Sequence, residues 1–243
     1  MQEQERDRIQ PAQILMRLTR IYGPFESRPH GDPITELVLT ILSQNTSDTN
    51  SGRAFMRLKQ RFPTWDELAA ADEAEVEQAI AAGGLAKQKA PRIIATLREI
   101  VNRQGSLDLS HLAEPRLRVE KAREWLMSLR GVGPKTAACV LLFALGKRAL
   151  PVDTHVHRVS ARLGLIPPGM NAAKAHAALE AIVPDRLFYA FHIALIKHGR
   201  RLCRASRPHC QQCPLLAGCP EGERRLISGD YASAQLSEAF SDA

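Results

Sequence analysis

Apolar residues along this chain recur every three to four positions, the spacing that gathers them on one face of an α-helix. Ile14, Leu15, Leu18 and Ile21 form such a stripe, stopped by the breaker pair Gly23-Pro24. Pro33 stands where a second helix would open, with Leu37, Val38, Ile41 and Leu42 on its buried face. That helix runs into the polar stretch Ser43-Gln44-Asn45-Thr46-Ser47-Asp48, which can cap a third helix carrying Phe55, Leu58 and Phe62. Short helices are expected over 65–71 and 73–82, with a break at Gly83-Gly84. Longer ones are expected over 90–101, 119–129, 135–145, 172–182 and 188–199. Strand-like alternation is confined to fragments such as Leu107-Asp108-Leu109. The pattern predicts an all-α fold. The last stretch, 226–243, is rich in Ser and Ala and reads as a loose tail.

A chain of 243 residues can bury one sizeable core or two small lobes. Aromatics make up 5%, too few for the stacking platforms of single-strand binders. The formal net charge of +7 favours an acidic partner, nucleic acid being the commonest, although charge alone carries the inference no further. Residues 1–8 are polar and charged, unlike a signal peptide. The longest apolar run, Ala137 to Leu145, is too short to span a membrane. A soluble cytoplasmic protein is expected, in which clustered cysteines are metal ligands rather than disulfides.

The chemistry concentrates in three places. The first is Leu129-Arg130-Gly131-Val132-Gly133-Pro134-Lys135-Thr136-Ala137. Gly131 and Gly133 let the chain reverse tightly, Val132 can plug the crevice between two helices, and Pro134 suits the first turn of the second. The amides at that helix start are unpaired and accept a phosphate. The helix dipole disfavours a cation at Lys135 and so favours the free amine, a nucleophile able to form a Schiff base. Position alone allows an equal reading in which Lys135 only neutralises a phosphate. The second place is Asp153, followed by Thr154 and His155 at an expected helix start. A helix cap is by itself the commoner role for such an aspartate.

The third place is Cys203, Cys210, Cys213 and Cys219, with six, two and five residues between them. Four thiolates in so short a loop need a metal to hold them. Zinc is the generic alternative, but its sites usually come as two close pairs, and only one close pair is present. Arg204 and Arg207 lie inside the loop, either reaching for phosphates or simply solvated. Cys139, within an apolar helix, reads as a buried small residue.

The hairpin with its lysine, the Val-Asp-Thr-His segment and the cysteine spacing, in that order, resemble the endonuclease III family of helix-hairpin-helix DNA glycosylases. The resemblance covers roughly 14–225. It implies two helical lobes, a six-helix lobe over 29–146 and a cluster lobe of 1–28 with 147–225, and an active site where they meet. It implies a [4Fe-4S] cluster on the four cysteines. It assigns Lys135 as nucleophile and Asp153 as the essential carboxylate of a bifunctional glycosylase and AP lyase, acting on oxidised pyrimidines. Gly131, Val132, Gly133 and Thr136 would contact the DNA backbone, and His155 would border the lesion pocket. The extruded nucleotide leaves a gap. Asn45 aligns with the family's usual gap-filling glutamine and Gln44 lies one place earlier, so either could insert; both could instead be helix caps. Leu85 would be the wedge, or merely core. After Leu85 the chain departs from the family's Tyr-Asn with Ala86-Lys87, and Arg130 stands where proline is usual.

The partner implied is double-stranded DNA carrying damaged bases or abasic sites, bound by a monomer at the nucleoid, with no membrane. The rival readings are an abasic-site lyase or alkylated-base glycosylase on the same fold, a non-catalytic DNA-binding module, and a redox protein.

Overall fold

The computed structural model describes residues 9–26 and 31–231. Residues 1–8 and the end of the expected tail, 232–243, lie outside the described residues. Helices account for all regular structure among the described residues. In chain order they are α1 (Pro11–Tyr22), α2 (Pro33–Ser43), α3 (Asp48–Arg61), α4 (Trp65–Ala70), α5 (Glu73–Ile80), α6 (Ala86–Gln104), α7 (Val119–Met127), α8 (Pro134–Cys139), α9 (Thr154–Arg162), α10 (Ala172–Ile182), α11 (Phe188–Arg201) and α12 (Pro220–Ser228). None is long and apolar enough to cross a membrane.

The chain divides into two compact units, Arg28–Ala149 and Met1–Ser27 with Leu150–Ala243. The first unit carries α2 to α8, seven helices against the six that the resemblance implies; α4 is the shortest of α2 to α7, at six residues. Its core gathers Ile34, Leu37, Ile41, Leu58, Leu68, Ile93 and Leu97, all buried. Each such side chain stabilises the fold by about 1.5–3 kcal/mol through its burial. Residues 147–149 belong to this unit because Lys147 Nζ donates to the carbonyls of Glu114 and Leu117 at 2.8 and 2.6 Å.

In the second unit α11 packs against α1 and α9, burying Ile14, Leu18, Val159, Phe191 and Leu195. The expected tail begins too early, because residues 226–228 complete α12, which Gly229 ends in the left-handed conformation.

The sharpest departure from the periodicity is α6. It starts at Ala86, four residues before the expected boundary, and carries Pro91 inside it. A proline within a helix costs one backbone hydrogen bond. The extension is held because the Leu85 carbonyl accepts from the amides of Gln88 and Lys89, both at 3.0 Å.

Candidate functional site

In the first unit, α7 ends two residues early and a tight turn leads to α8. Gly131 has φ 84°, a conformation only glycine adopts readily. A Cβ there would also lie 2.6 Å from the Arg92 side chain. Gly133 differs. It is the extended N-cap of α8 at φ −96°, and a Cβ on it would meet nothing within 4 Å. Its backbone is therefore open to close approach. Pro134 occupies the first helical position, as anticipated, and Val132 is buried.

The turn is braced by α6. Glu99 accepts from the Arg130 amide at 3.1 Å, and the buried Thr96 hydroxyl lies 3.0 Å from the Arg130 carbonyl. Lys135 is half-buried in the first turn of α8. It lies one turn before Cys139, whose thiol is pushed up to about 11 by burial, with the charge and hydrogen bonding of Lys135 pulling the other way. Glu36 adds negative charge to the same neighbourhood.

Two loops lie in the same unit. Gln44 Oε1 accepts from Arg92 at 2.6 Å, and its Nε2 is 3.5 Å from the Thr136 hydroxyl. Asn45 beside it is exposed, with φ 52°. Neither side chain caps α3; Ser47 does, accepting from Asn50 N. Leu85 is 44% exposed, so it is not a core residue. It too is left-handed, at φ 54°.

In the second unit, Asp153 is the N-cap of α9: Oδ1 accepts from Val156 N at 2.7 Å. Its other oxygen accepts no hydrogen bond among the described residues. The segment leading to it is pinned by two buried histidines. His176 Nδ1 is 3.0 Å from the Leu150 carbonyl, and His192 Nδ1 is 2.8 Å from that of Pro151. His155 is half-buried beside Arg158, whose guanidinium donates to Nδ1 at 3.0 Å. Burial foremost, and then Arg158 and Arg200, hold its imidazole below the ordinary range against the pull of Asp153.

The four cysteines of this unit line one pocket, together with Val159, Leu163, His198 and Leu215. Arg162 donates to Cys203 Sγ at 3.3 Å, the Gly222 amide to Cys219 Sγ at 3.3 Å, and His198 Nε2 lies 3.5 Å from Cys213 Sγ. Burial pushes the thiol of Cys213 up to about 12 and that of Cys219 to about 11. Such sulfurs become thiolates at neutral pH only against a positive partner. Among the described residues no three His, Cys, Asp or Glu side chains converge on a single-ion position.

The model for "HhH-GPD superfamily base excision DNA repair protein" matches residues 38–185. Endonuclease III of Thermotoga maritima is 36% identical over 194 residues, covering 80% of this chain and 85% of that one. The chain belongs to the endonuclease III family. A provisionally named DNA glycosylase of Arabidopsis thaliana is 41% identical over 164 residues, 68% of this chain but 55% of that protein. A solved endonuclease III in non-covalent complex with DNA superposes with a TM-score of 0.76 at 30% identity, over 90% of this chain and 99% of that one. This family member is accordingly a DNA-binding glycosylase of base excision repair.

Of the residues singled out in the sequence, Gln44 and Thr136 meet in the first unit, and the four cysteines meet in the second. Lys135 belongs to the first unit and Asp153 to the second. Sequence reasoning missed the residues beneath these groups: Arg92, Thr96 and Glu99 behind the hairpin, Lys89 behind the loops, and Arg162 beside the cysteines. The one available signal was Lys89, a lysine at a position of α6 that also carries the buried Ile93 and Leu97 at helical spacing.

Proposed function

We propose that this chain excises oxidised pyrimidines from duplex DNA and then cuts the strand, with Lys135 as nucleophile and Asp153 as the carboxylate it works with. The observation that carries the reading is the half-buried Lys135 in the first turn of α8, immediately behind a hairpin braced from α6. The open backbone at Gly133 and the unpaired amides of that helix start suit a phosphate without regard to sequence.

The chemistry follows from those groups. Asp153 takes a proton from the lysine ammonium. The free amine attacks C1′ of the damaged nucleotide, and the bond from C1′ to the base breaks, the base leaving with the electron pair and gaining a proton. The proton the base gains is the one Asp153 took from the lysine, and the carboxylate so restored offsets the cationic sugar that develops. The sugar ring opens and an imine forms between Nζ and C1′. The imine acidifies the 2′ hydrogen, and loss of that proton expels the 3′ phosphate oxygen. Hydrolysis of the imine returns the amine.

Asn45, exposed at its left-handed loop, is the residue that enters the gap, because Gln44 is already engaged by Arg92 and Thr136. Leu85 is the wedge, supported by its exposure.

Cys203, Cys210, Cys213 and Cys219 would hold a [4Fe-4S] cluster. Four soft sulfur donors facing one pocket fit it, as do the N–H donors at Cys203 and Cys219. A single zinc ion would need its sulfurs drawn to about 2.3 Å from one point. Bound to the four thiolates, such a cluster would supply order to the loop between α11 and α12.

Borohydride trapping tests the reading. Duplexes carrying an abasic site or an oxidised thymine are treated with wild type and with Lys135→Ala. A covalent protein–DNA band in wild type alone is expected. No band with either protein on both substrates overturns the lysine mechanism, and faster release of an alkylated base across a lesion panel overturns the substrate class.

A further inference from the structure

Lys89 is 2% exposed, an unusual place for an ammonium, and the chemistry above makes no use of it. Its Nζ donates to the carbonyl of Leu42 at 2.6 Å and to that of Gly83 at 3.0 Å. Leu42 lies in the last turn of α2, and Gly83 ends the 3₁₀ turn Ala81–Gly83. Both carbonyls are the orphan acceptors of a helix end, where the dipole is negative and a cation is welcome. One buried charge thus closes two helix ends at once.

Those two ends lead to the loops read above as opening the duplex. Two residues after Leu42 come Gln44 and then Asn45; two residues after Gly83 comes Leu85. Both loop tips hold a non-glycine residue in the left-handed region, Asn45 at φ 52° and Leu85 at φ 54°. A branched side chain in that region costs about 1–2 kcal/mol, so the conformation persists only where the surroundings impose it. At Leu85 they do. The carbonyl of Gly83, two residues before it, accepts from Lys89 Nζ, and the residue's own carbonyl accepts from the Lys89 amide, both at 3.0 Å. Gly83 itself has no room for a side chain, since a Cβ would lie 2.9 Å from Ala54 Cβ.

We infer that Lys89 is a positioning residue that fixes the wedge Leu85 and the gap-filling loop at Asn45 to one buried point, so that the two enter the duplex as a single rigid device. The inference rests on the proposed roles of Leu85 and Asn45. It concerns extrusion of the nucleotide and leaves the covalent steps to Lys135 and Asp153.

The test compares Lys89→Met, of similar length but without donors, with wild type in single-turnover base release. One substrate carries the lesion in a fully paired duplex; the other carries it within a short mismatched bubble, where little work of extrusion remains. Loss of both hydrogen bonds should slow release from the paired duplex by roughly tenfold or more, while the bubble substrate restores a rate near wild type. Adding Leu85→Ala and Asn45→Ala should make Lys89→Met silent, since the device it holds is then gone. Equal losses on paired and bubble substrates would mark a purely structural lysine and overturn the inference, as would an unchanged rate on the paired duplex.

If Lys89→Met does not fold, amide exchange in wild type decides. The hydrogen-bonded amides of Gln44, Gln88 and Lys89 should exchange slowly and together; fast, independent exchange of either loop's amides would overturn the clamp. Should wild type neither release base nor form a trapped adduct on any duplex, the glycosylase–lyase reading itself fails; activity in wild type with a normal Lys89→Met defeats only the inference about Lys89.

Discussion

The hairpin around Gly131 and the loop around the four cysteines are both short, irregular and chemically specialised, yet they are stabilised in opposite ways. The hairpin is complete in itself: Thr96 and Glu99 meet the backbone of Arg130, and Pro134 and the buried Val132 complete the turn. The cysteine loop, on the function proposed above, would be completed by the cluster it binds. Its thiols face inward, and burial holds those of Cys213 and Cys219 at about 12 and about 11, far from anionic. A region satisfied by its own hydrogen bonds tolerates the loss of one of them. A region organised around a bound charge does not tolerate the loss of a ligand.

The largest effect that would break this comparison is at Cys213. Cys213→Ala is expected to yield colourless, poorly folded protein lacking iron and acid-labile sulfide; normal colour, iron content and yield would show that the loop stands on its own packing. Next comes Gly131→Ala. The added Cβ meets both the φ of 84° and the Arg92 side chain, which is itself fastened to Gln44. A stability loss of about 1–3 kcal/mol is expected in urea titration, with weaker duplex binding; an unchanged midpoint would mean that Arg92 moves aside freely.

Thr96→Val removes the hydroxyl shared between the carbonyls of Arg92 and Arg130, at 2.7 and 3.0 Å. Its cost should be about 1 kcal/mol, the net value of one hydrogen bond, with the Lys135 adduct still trapped. A collapse of the trapping yield would show the hairpin to be as fragile as the cysteine loop. The smallest effect on stability is at Gly133. Gly133→Ala should leave the melting curve unchanged, since its φ is ordinary and no atom lies within 4 Å of the new Cβ. Duplex affinity should nevertheless fall several-fold by filter binding, because the methyl occupies the side from which a phosphate approaches. Affinity equal to wild type would remove the phosphate from that position.

Much of this was legible in the chain before folding. The stripes of α1 and α2 and the Gly-Val-Gly-Pro hairpin are short-range patterns, set by neighbours within a turn or two. The same logic failed at α6, whose start was expected at Ala90. The true start, four residues earlier, is held by the Leu85 carbonyl, which accepts from the amides of Gln88 and Lys89. It failed again at 226–228, where Leu226-Ile227-Ser228 was read into the tail but is helical, because α12 begins at Cys219 and Pro220 and runs on to a glycine cap.

The amino-acid sequence by itself determined the helical class, the family, the nucleophile candidate and the cysteine quartet, because each is written in residue types at fixed local spacing. Only the tertiary structure decided which side chains hold those groups in place. Lys89 reaches a carbonyl 47 positions away, Arg92 a side chain 48 away, and Thr96 a carbonyl 34 away. No local period encodes such pairs. They exist because packing α6 against its neighbours strands polar backbone groups away from water, and a buried acceptor must find a donor wherever the chain brings one.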